Sequence, residues 1–171
     1  MQLVRYADGG NATWGVQDGD VIHSLAGQPT GEPSYQDLTS ETYLDEVRRR
    51  VEDGALSRRS VEDVSLLAPV PVPGKIVCVG LNYRDHAEEQ DEEIPETPLL
   101  FSKAPTTVTN PGDPIVHPGG DEQVDYEVEL GVVVGRYAKD VDEDEAEEYV
   151  AGYTVLNDVS GRTSQFDDGQ F

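Results

Sequence analysis

The stretch VDYEVELGVVVG, residues 124–135, sets two glutamates one residue apart at the head of a run of valines. Side chains alternate faces along a strand, so Glu127 and Glu129 share one face with Asp125, while Val128, Leu130, Val132 and Val134 take the other. Such an apolar face predicts a buried strand. Carboxylates this close, beside apolar neighbours, resist ionisation unless positive charge sits between them. A cation is the simplest source of that charge.

The next strand candidate, YTVLND, ends in Asp158 and can pair beside the first one through the short acidic helix expected over DEDEAEEYVAG. Asp and Glu make up 35 of the 171 residues, so an E-x-E pair alone is a weak signal, and a solvated acidic edge is its plain alternative. Asp158 changes that weighting. Carboxylates from two neighbouring strands form an all-oxygen site that suits Mg²⁺ or Mn²⁺ with positions left open, whereas zinc wants the His or Cys ligands that this stretch lacks. Arg162 and Gln165 follow at a spacing that shares one helix face, and an arginine there suits a bidentate grip on a substrate carboxylate; alone it would be a surface ion pair. In NYRDHAEE, His86 and Glu89 stand at i, i+3. On a helix the glutamate can hold the imidazole in the tautomer that takes a proton from water, and the bland alternative is one more solvated acidic helix. His23 and His117 stand in turn-like contexts and carry no assigned role.

Residues 1–68 form a separate module in this reading, with short strands at LVRYA, TWGVQ and DVIHSL divided by the turns DGG and DGD. A helix follows over ETYLDEVRRRVEDG, where Leu44, Val47 and Val51 recur at helical steps and Gly54 ends it. Pro69, Pro71 and Pro73 make LLAPVPVPGK an extended linker into a second unit, residues 69–171. That unit holds the strand KIVCVGLNY, the polar helix RDHAEEQDEE, the strand LLFSKA, a Pro/Gly-rich loop, and then the strand of the opening stretch. Strands outnumber helices and no GxGxxG loop is present, so the expected class is α+β, mainly β, rather than a Rossmann layout.

Formal net charge is -23, with basic residues mostly arginine and lysine only at Lys75, Lys103 and Lys139. The acid is dispersed along the chain, which suits a surface kept hydrated in high salt and argues against nucleic acid or an anionic membrane as partner. Cys78 is the single cysteine, which excludes an internal disulfide and fits a reducing compartment. Without a signal-like or membrane-spanning apolar run, the expected location is the cytoplasm.

Four blocks, GLNYRDHAEE, PLLFSKAPTTVTNPGDPI, VDYEVELGVVVG and YTVLNDVSGRTSQFDDGQF, resemble the fumarylacetoacetate hydrolase family in this order and spacing, over residues 70–171. The resemblance implies a β-roll core behind a small N-terminal domain. It implies metal ligands at Glu127, Glu129 and Asp158, a catalytic dyad at His86 and Glu89, and substrate-side residues at Lys103, Arg162 and Gln165. It implies a homodimer and a small-molecule substrate of aromatic catabolism. The expected activity is metal-dependent hydrolysis or lysis of a carbon–carbon bond in a 2-oxo acid or 1,3-dicarbonyl acid, with decarboxylation or enol–keto isomerisation as alternatives at the same site. Family members continue into further strands with another lysine, so the core is expected to be C-terminally incomplete, and a non-catalytic fragment or half of a split enzyme is a further alternative.

The dispersed acid carries a direct consequence. At net charge -23, self-repulsion opposes the compact state and added cations relieve it. The melting temperature is expected to rise as KCl goes from low to molar levels, and a flat profile would remove the salt-adaptation reading.

Overall fold

The computed structural model describes residues 1–27, 33–117, 119 and 123–169. The turns marked DGG and DGD form where Gly9, Gly10 and Gly19 take positive φ, a conformation open to glycine without a Cβ clash. They join β1 (Gln2–Asp8), β2 (Asn11–Asp18) and β3 (Val21–Ser24) into an antiparallel meander, with Arg5 opposite Trp14 and Val16 opposite His23. β4 (Arg58–Ser60) adds beside β3, and β5 (Ser65–Leu67) adds beside β1, giving the order β4-β3-β2-β1-β5. Leu66 and Leu67, expected in the linker, therefore close the sheet.

α1 (Glu41–Glu52) forms where the periodicity placed it. The Ser40 side chain accepts from the Tyr43 amide at its start, Glu41 lies in the first turn and Arg49 and Arg50 in the last, each charge complementing the helix dipole. Val47 is buried, and Leu44 and Val51 are half-buried beside it. One core joins Trp14, Val16, Leu25, Leu38, Val47 and Leu56, with Tyr35 edge-on to Trp14 at 6.1 Å between ring centroids. His23 is not in a turn; it lies buried on β3, because its register partner Val16 faces this core.

Beyond residue 69 the expected strands are shorter. β6 (Ile76–Gly80) stops at Leu81, whose φ of 49° turns the chain, and pairs with β7 (Leu99–Lys103) in an antiparallel two-stranded sheet, with Cys78 opposite Phe101. Between them α2 (Arg84–Glu89) is only six residues long, because the chain leaves it at Gln90 and Asp91 takes a φ of 56°. The long strand expected over the opening stretch is broken in two. β8 (Val124–Asp125) pairs with β11 (Ser160–Gly161), while β9 (Val128–Val134) pairs with β10 (Val150–Asn157). The acidic helix between β9 and β10 is a 3₁₀ segment, Glu143–Tyr149, and Val150 to Gly152 already belong to β10. α3 (Arg162–Asp168) follows β11 and ends at Gly169 in the left-handed conformation.

The architecture is α+β and mainly β, and the chain divides into two compact units. One contains Met1–Pro69, Asn110–Gly112 and Tyr126–Asp158. The other contains Val70–Thr109 and the described parts of Asp113–Asp125 and of the segment from Val159 onward. Within the first unit, the far end of the β9–β10 hairpin meets the N-terminal core: Ala151 packs on the core cluster and Gly135 abuts Tyr35 and Thr39.

The opening stretch was expected to bury its valines, and here the structure corrects the reading. Val128, Leu130, Val132 and Val134 are exposed, from 52% to 76%, as are Tyr153 and Val155 across from them on β10. The opposite face, with Glu129, Gly131 and Val133, is the half-buried one. The physical reason is that the N-terminal core takes the hairpin end at Gly135 and Ala151, and no described element covers the valine side.

Two outcomes follow for stability. A Cβ at Gly135 would stand 2.5 Å from the Tyr35 carbonyl oxygen and 2.7 Å from both Ala151 Cβ and Thr39 Cγ2, so Gly135→Ala is expected to cost about 1–3 kcal/mol in chemical denaturation. An unchanged midpoint would mean the hairpin end is not seated there. On α1, hydrogen bonds from Arg49 and Arg50 hold the Glu46 carboxyl down at about 2. A depressed folded-state pKa contributes stability that is present above the ordinary carboxylate range and is lost as pH falls toward about 2. Glu46→Gln should therefore lower the melting temperature at pH 7 and converge on the parent in strong acid.

Candidate functional site

The β9–β10 register decides where the acidic residues stand. Glu129 lies opposite Leu156 and Val128 opposite Asn157, and one step further the Asp158 amide donates to the Glu127 carbonyl at 2.9 Å. Directly opposed residues of an antiparallel pair share a face, so Glu127, Glu129 and Asp158 come to one end of one face, all three half-buried. Tyr126 and Glu127 sit in the break between β8 and β9, where the Asn157 side-chain oxygen accepts from the Glu127 amide at 3.2 Å. Among the described residues, no group of three or more His, Cys, Asp or Glu side chains converges closely enough to hold a metal ion. The face presents the three carboxylates without gathering them.

The second unit holds the two cationic candidates, Lys103 and Arg162. β8 and β11 set Asp125 opposite Ser160, and the Arg162 amide that opens α3 donates to the Gln123 carbonyl at 2.8 Å. The guanidinium of Arg162 donates from Nε and Nη2 to Asp125 Oδ2, at 3.2 and 3.0 Å, and from Nη1 to Gln165 Oε1 at 2.8 Å. Lys103, at the end of β7, donates to Ser160 Oγ at 3.4 Å. Lys103, Arg162 and Gln165 are thus joined through Ser160 and Asp125, the residues of one short ladder. A partly exposed ion pair of this kind adds no more than about 1 kcal/mol, so its main effect is to fix where the guanidinium points.

The remaining pair lies on α2. His86 is half-buried beside the fully buried Ala87, while Glu89 is exposed. The imidazole contact runs from Nε2 to the side-chain nitrogen of Gln90, at 2.6 Å, and not to Glu89. Sequence reasoning weighed the i, i+3 partner; the i, i+4 spacing of Gln90 was equally available on a helix. Asp125 as partner to Arg162 carried no such signal, since 37 residues separate the two. The proposed ligands and the proposed substrate and proton-transfer residues divide between the two units: Glu127, Glu129 and Asp158 belong to the first, and His86, Glu89, Lys103, Arg162 and Gln165 to the second.

These features define a mainly β protein of the α+β class with an acidic hairpin face in one unit and an arginine-centred cluster in the other. Residues 75–171 match the model of the fumarylacetoacetate (FAA) hydrolase C-terminal domain, and residues 1–69 match the Rv2993c-like N-terminal domain. The chain belongs to the fumarylacetoacetate hydrolase family. It is 43% identical over 137 residues to a fumarylacetoacetate hydrolase domain-containing protein 2 homolog of Dictyostelium discoideum, covering 80% of this chain and 45% of that protein. It is 43% identical over 148 residues to the mitochondrial oxaloacetate tautomerase FAHD2A of Homo sapiens, covering 86% of this chain and 47% of the relative. Among solved structures it resembles maleylpyruvate hydrolase from Sphingobium sp. SYK-6, in complex with manganese(II) and pyruvate. The TM-score is 0.72 at 28% identity, over 95% of this chain and 60% of that one. The chain thus spans about half the length of these curated relatives. No helix among the described residues is long and apolar enough to cross a membrane.

Proposed function

We propose that this chain carries the metal-binding and substrate-gripping residues of a Mg²⁺- or Mn²⁺-dependent enzyme acting on small 2-oxo acids or 1,3-dicarbonyl acids. The observation that carries the reading is the β9–β10 register, which sets Asp158 across from Glu127 with Glu129 next on the same half-buried face. Three carboxylates there fit a hard divalent cation by donor chemistry, and a relative in the family is a manganese complex with a 2-oxo acid. A divalent ion held by Glu127, Glu129 and Asp158 would supply positive charge for substrate oxygens and for the negative charge of an enolate.

The protein's own groups do the rest. Arg162, pointed by Asp125 and Gln165, grips a substrate carboxylate, and Lys103 adds a second positive charge. His86 takes a proton from water, breaking an O–H bond and forming an N–H bond on the imidazole, and the hydroxide so made adds to the carbonyl carbon of an acylpyruvate-type substrate as the C=O π bond opens. The adduct collapses by breaking the adjacent C–C bond into a carboxylic acid and a pyruvate enolate, and the imidazolium returns its proton to the enolate carbon. Without water attack, the same residues interconvert enol and keto forms by moving a proton between carbon and oxygen, or support decarboxylation. Tautomerisation is the activity named for the human relative and hydrolysis that named for the maleylpyruvate-cleaving one. Oxaloacetate tautomerisation and acylpyruvate hydrolysis are accordingly the two assays to run first.

Calorimetry with Mn²⁺ on chelator-stripped protein in molar KCl is expected to show saturable binding that Glu129→Gln weakens at least about tenfold. Glu143→Gln, on the exposed acidic 3₁₀ segment, should leave it unchanged. Equal affinity in parent and Glu129→Gln would sink the ligand assignment. His86→Ala should keep that affinity while lowering turnover by about 10²–10⁴-fold. Turnover within a few-fold of the parent would remove the imidazole from the chemistry.

A further inference from the structure

The imidazole of His86 has a partner that the proposed chemistry does not use. Gln90 Nε2 lies 2.6 Å from His86 Nε2, a short contact between a nitrogen that can only donate and a ring nitrogen that can do either. The contact is built into the helix end. The Gln90 amide donates to the His86 carbonyl at 3.2 Å, Asp91 then turns the chain with a φ of 56°, and the Glu92 amide closes on the Ala87 carbonyl at 2.9 Å. Ala87, fully buried, anchors this turn, so the Gln90 side chain leaves the backbone one helical turn beyond the imidazole. In the run EEQDEE, residues 88–93, Gln90 is the only residue whose side chain both reaches this far and has an N–H to give; its neighbours are carboxylates, which only accept.

We propose that Gln90 is a positioning residue for His86: its side-chain N–H donates to Nε2, so the neutral ring carries its proton on Nδ1 and keeps Nε2 as the acceptor. Nε2 is then the basic nitrogen, and the amide occupies the place of the water or substrate O–H that later donates to it. Gln90 holds the base in its working tautomer and leaves when that donor arrives. That the ring acts as a base rests on the function proposed above; the tautomer itself does not.

The distinction is read by ¹⁵N NMR of the full chain labelled at histidine nitrogen, with the neutral ring observed and His86 signals assigned by their loss in His86→Gln. In the parent, Nε2 should give the unprotonated, pyridine-type resonance and Nδ1 the protonated one. Gln90→Ala should move both nitrogens toward the averaged values of a ring exchanging between tautomers. Gln90→Glu, which replaces the donor by an acceptor, should shift the proton onto Nε2. A merely structural role for Gln90 would leave the ring nitrogens unmoved in all three proteins. A protonated Nε2 in the parent, or a Gln90→Ala spectrum identical to it, would overturn the assignment. Because the readout needs no turnover, loss of the proposed enzymatic activity and loss of this tautomer control are separable results.

Discussion

The hydrogen bond from the Asp158 amide to the Glu127 carbonyl, with the Asn157 side chain on the Glu127 amide, is the constraint on which the candidate chemistry depends. It extends the β9–β10 ladder one step past the strand ends, and a ladder has no half-steps. Slipping the register by one residue would send Asp158 to the face opposite the two glutamates. Asn157 matters for the same reason. By accepting from an amide that lies in the break between β8 and β9, it holds the chain in line where regular pairing has lapsed.

Burial is distributed unevenly. Among the described residues, the buried apolar side chains lie at or before Ala68, with Ala87 the exception. The N-terminal sheet and α1 therefore supply the hydrophobic stabilisation that area burial confers. The strands bearing the candidate functional residues present large apolar surface instead, along Val128 to Val134 on β9 and at Val77, Val79 and Leu100 on β6 and β7. Exposed apolar faces of this extent on paired strands are uncommon in a finished monomer surface. They locate where this part of the chain is least stabilised by its own residues.

Charge shapes the second unit differently. With basic residues outnumbered by 35 acidic ones to 12, an arginine meets carboxylates easily, and Arg49 and Arg50 are drawn into ion pairs along α1, exposed for Arg49 and half-buried for Arg50. Arg162 is held another way, between a carboxylate brought by the β8–β11 ladder and an amide one turn along its own helix. The guanidinium is oriented by two elements rather than by one flexible neighbour. That is the kind of pre-set geometry that recognition of a planar carboxylate requires.

The sequence by itself determined the mainly β class, α1 with the glycine that follows it, the meander turns, the pairing of the YTVLND strand beside the EVE stretch and the family. Each rests on local physics: glycine at positive φ, apolar residues at helical or alternating steps, and motifs contiguous in the chain. It did not determine which face of β9 would be covered, because alternation separates two faces without saying which one meets a neighbour. That was decided by the close approach at Gly135 and Ala151 to the N-terminal core. Nor did it choose Gln90 over Glu89 for His86, since both lie within reach on a helix and only the way the chain leaves α2 selects between them. Asp125 beside Arg162 was decided by tertiary structure alone, for an ion pair across 37 residues exists only once β8 and β11 have paired.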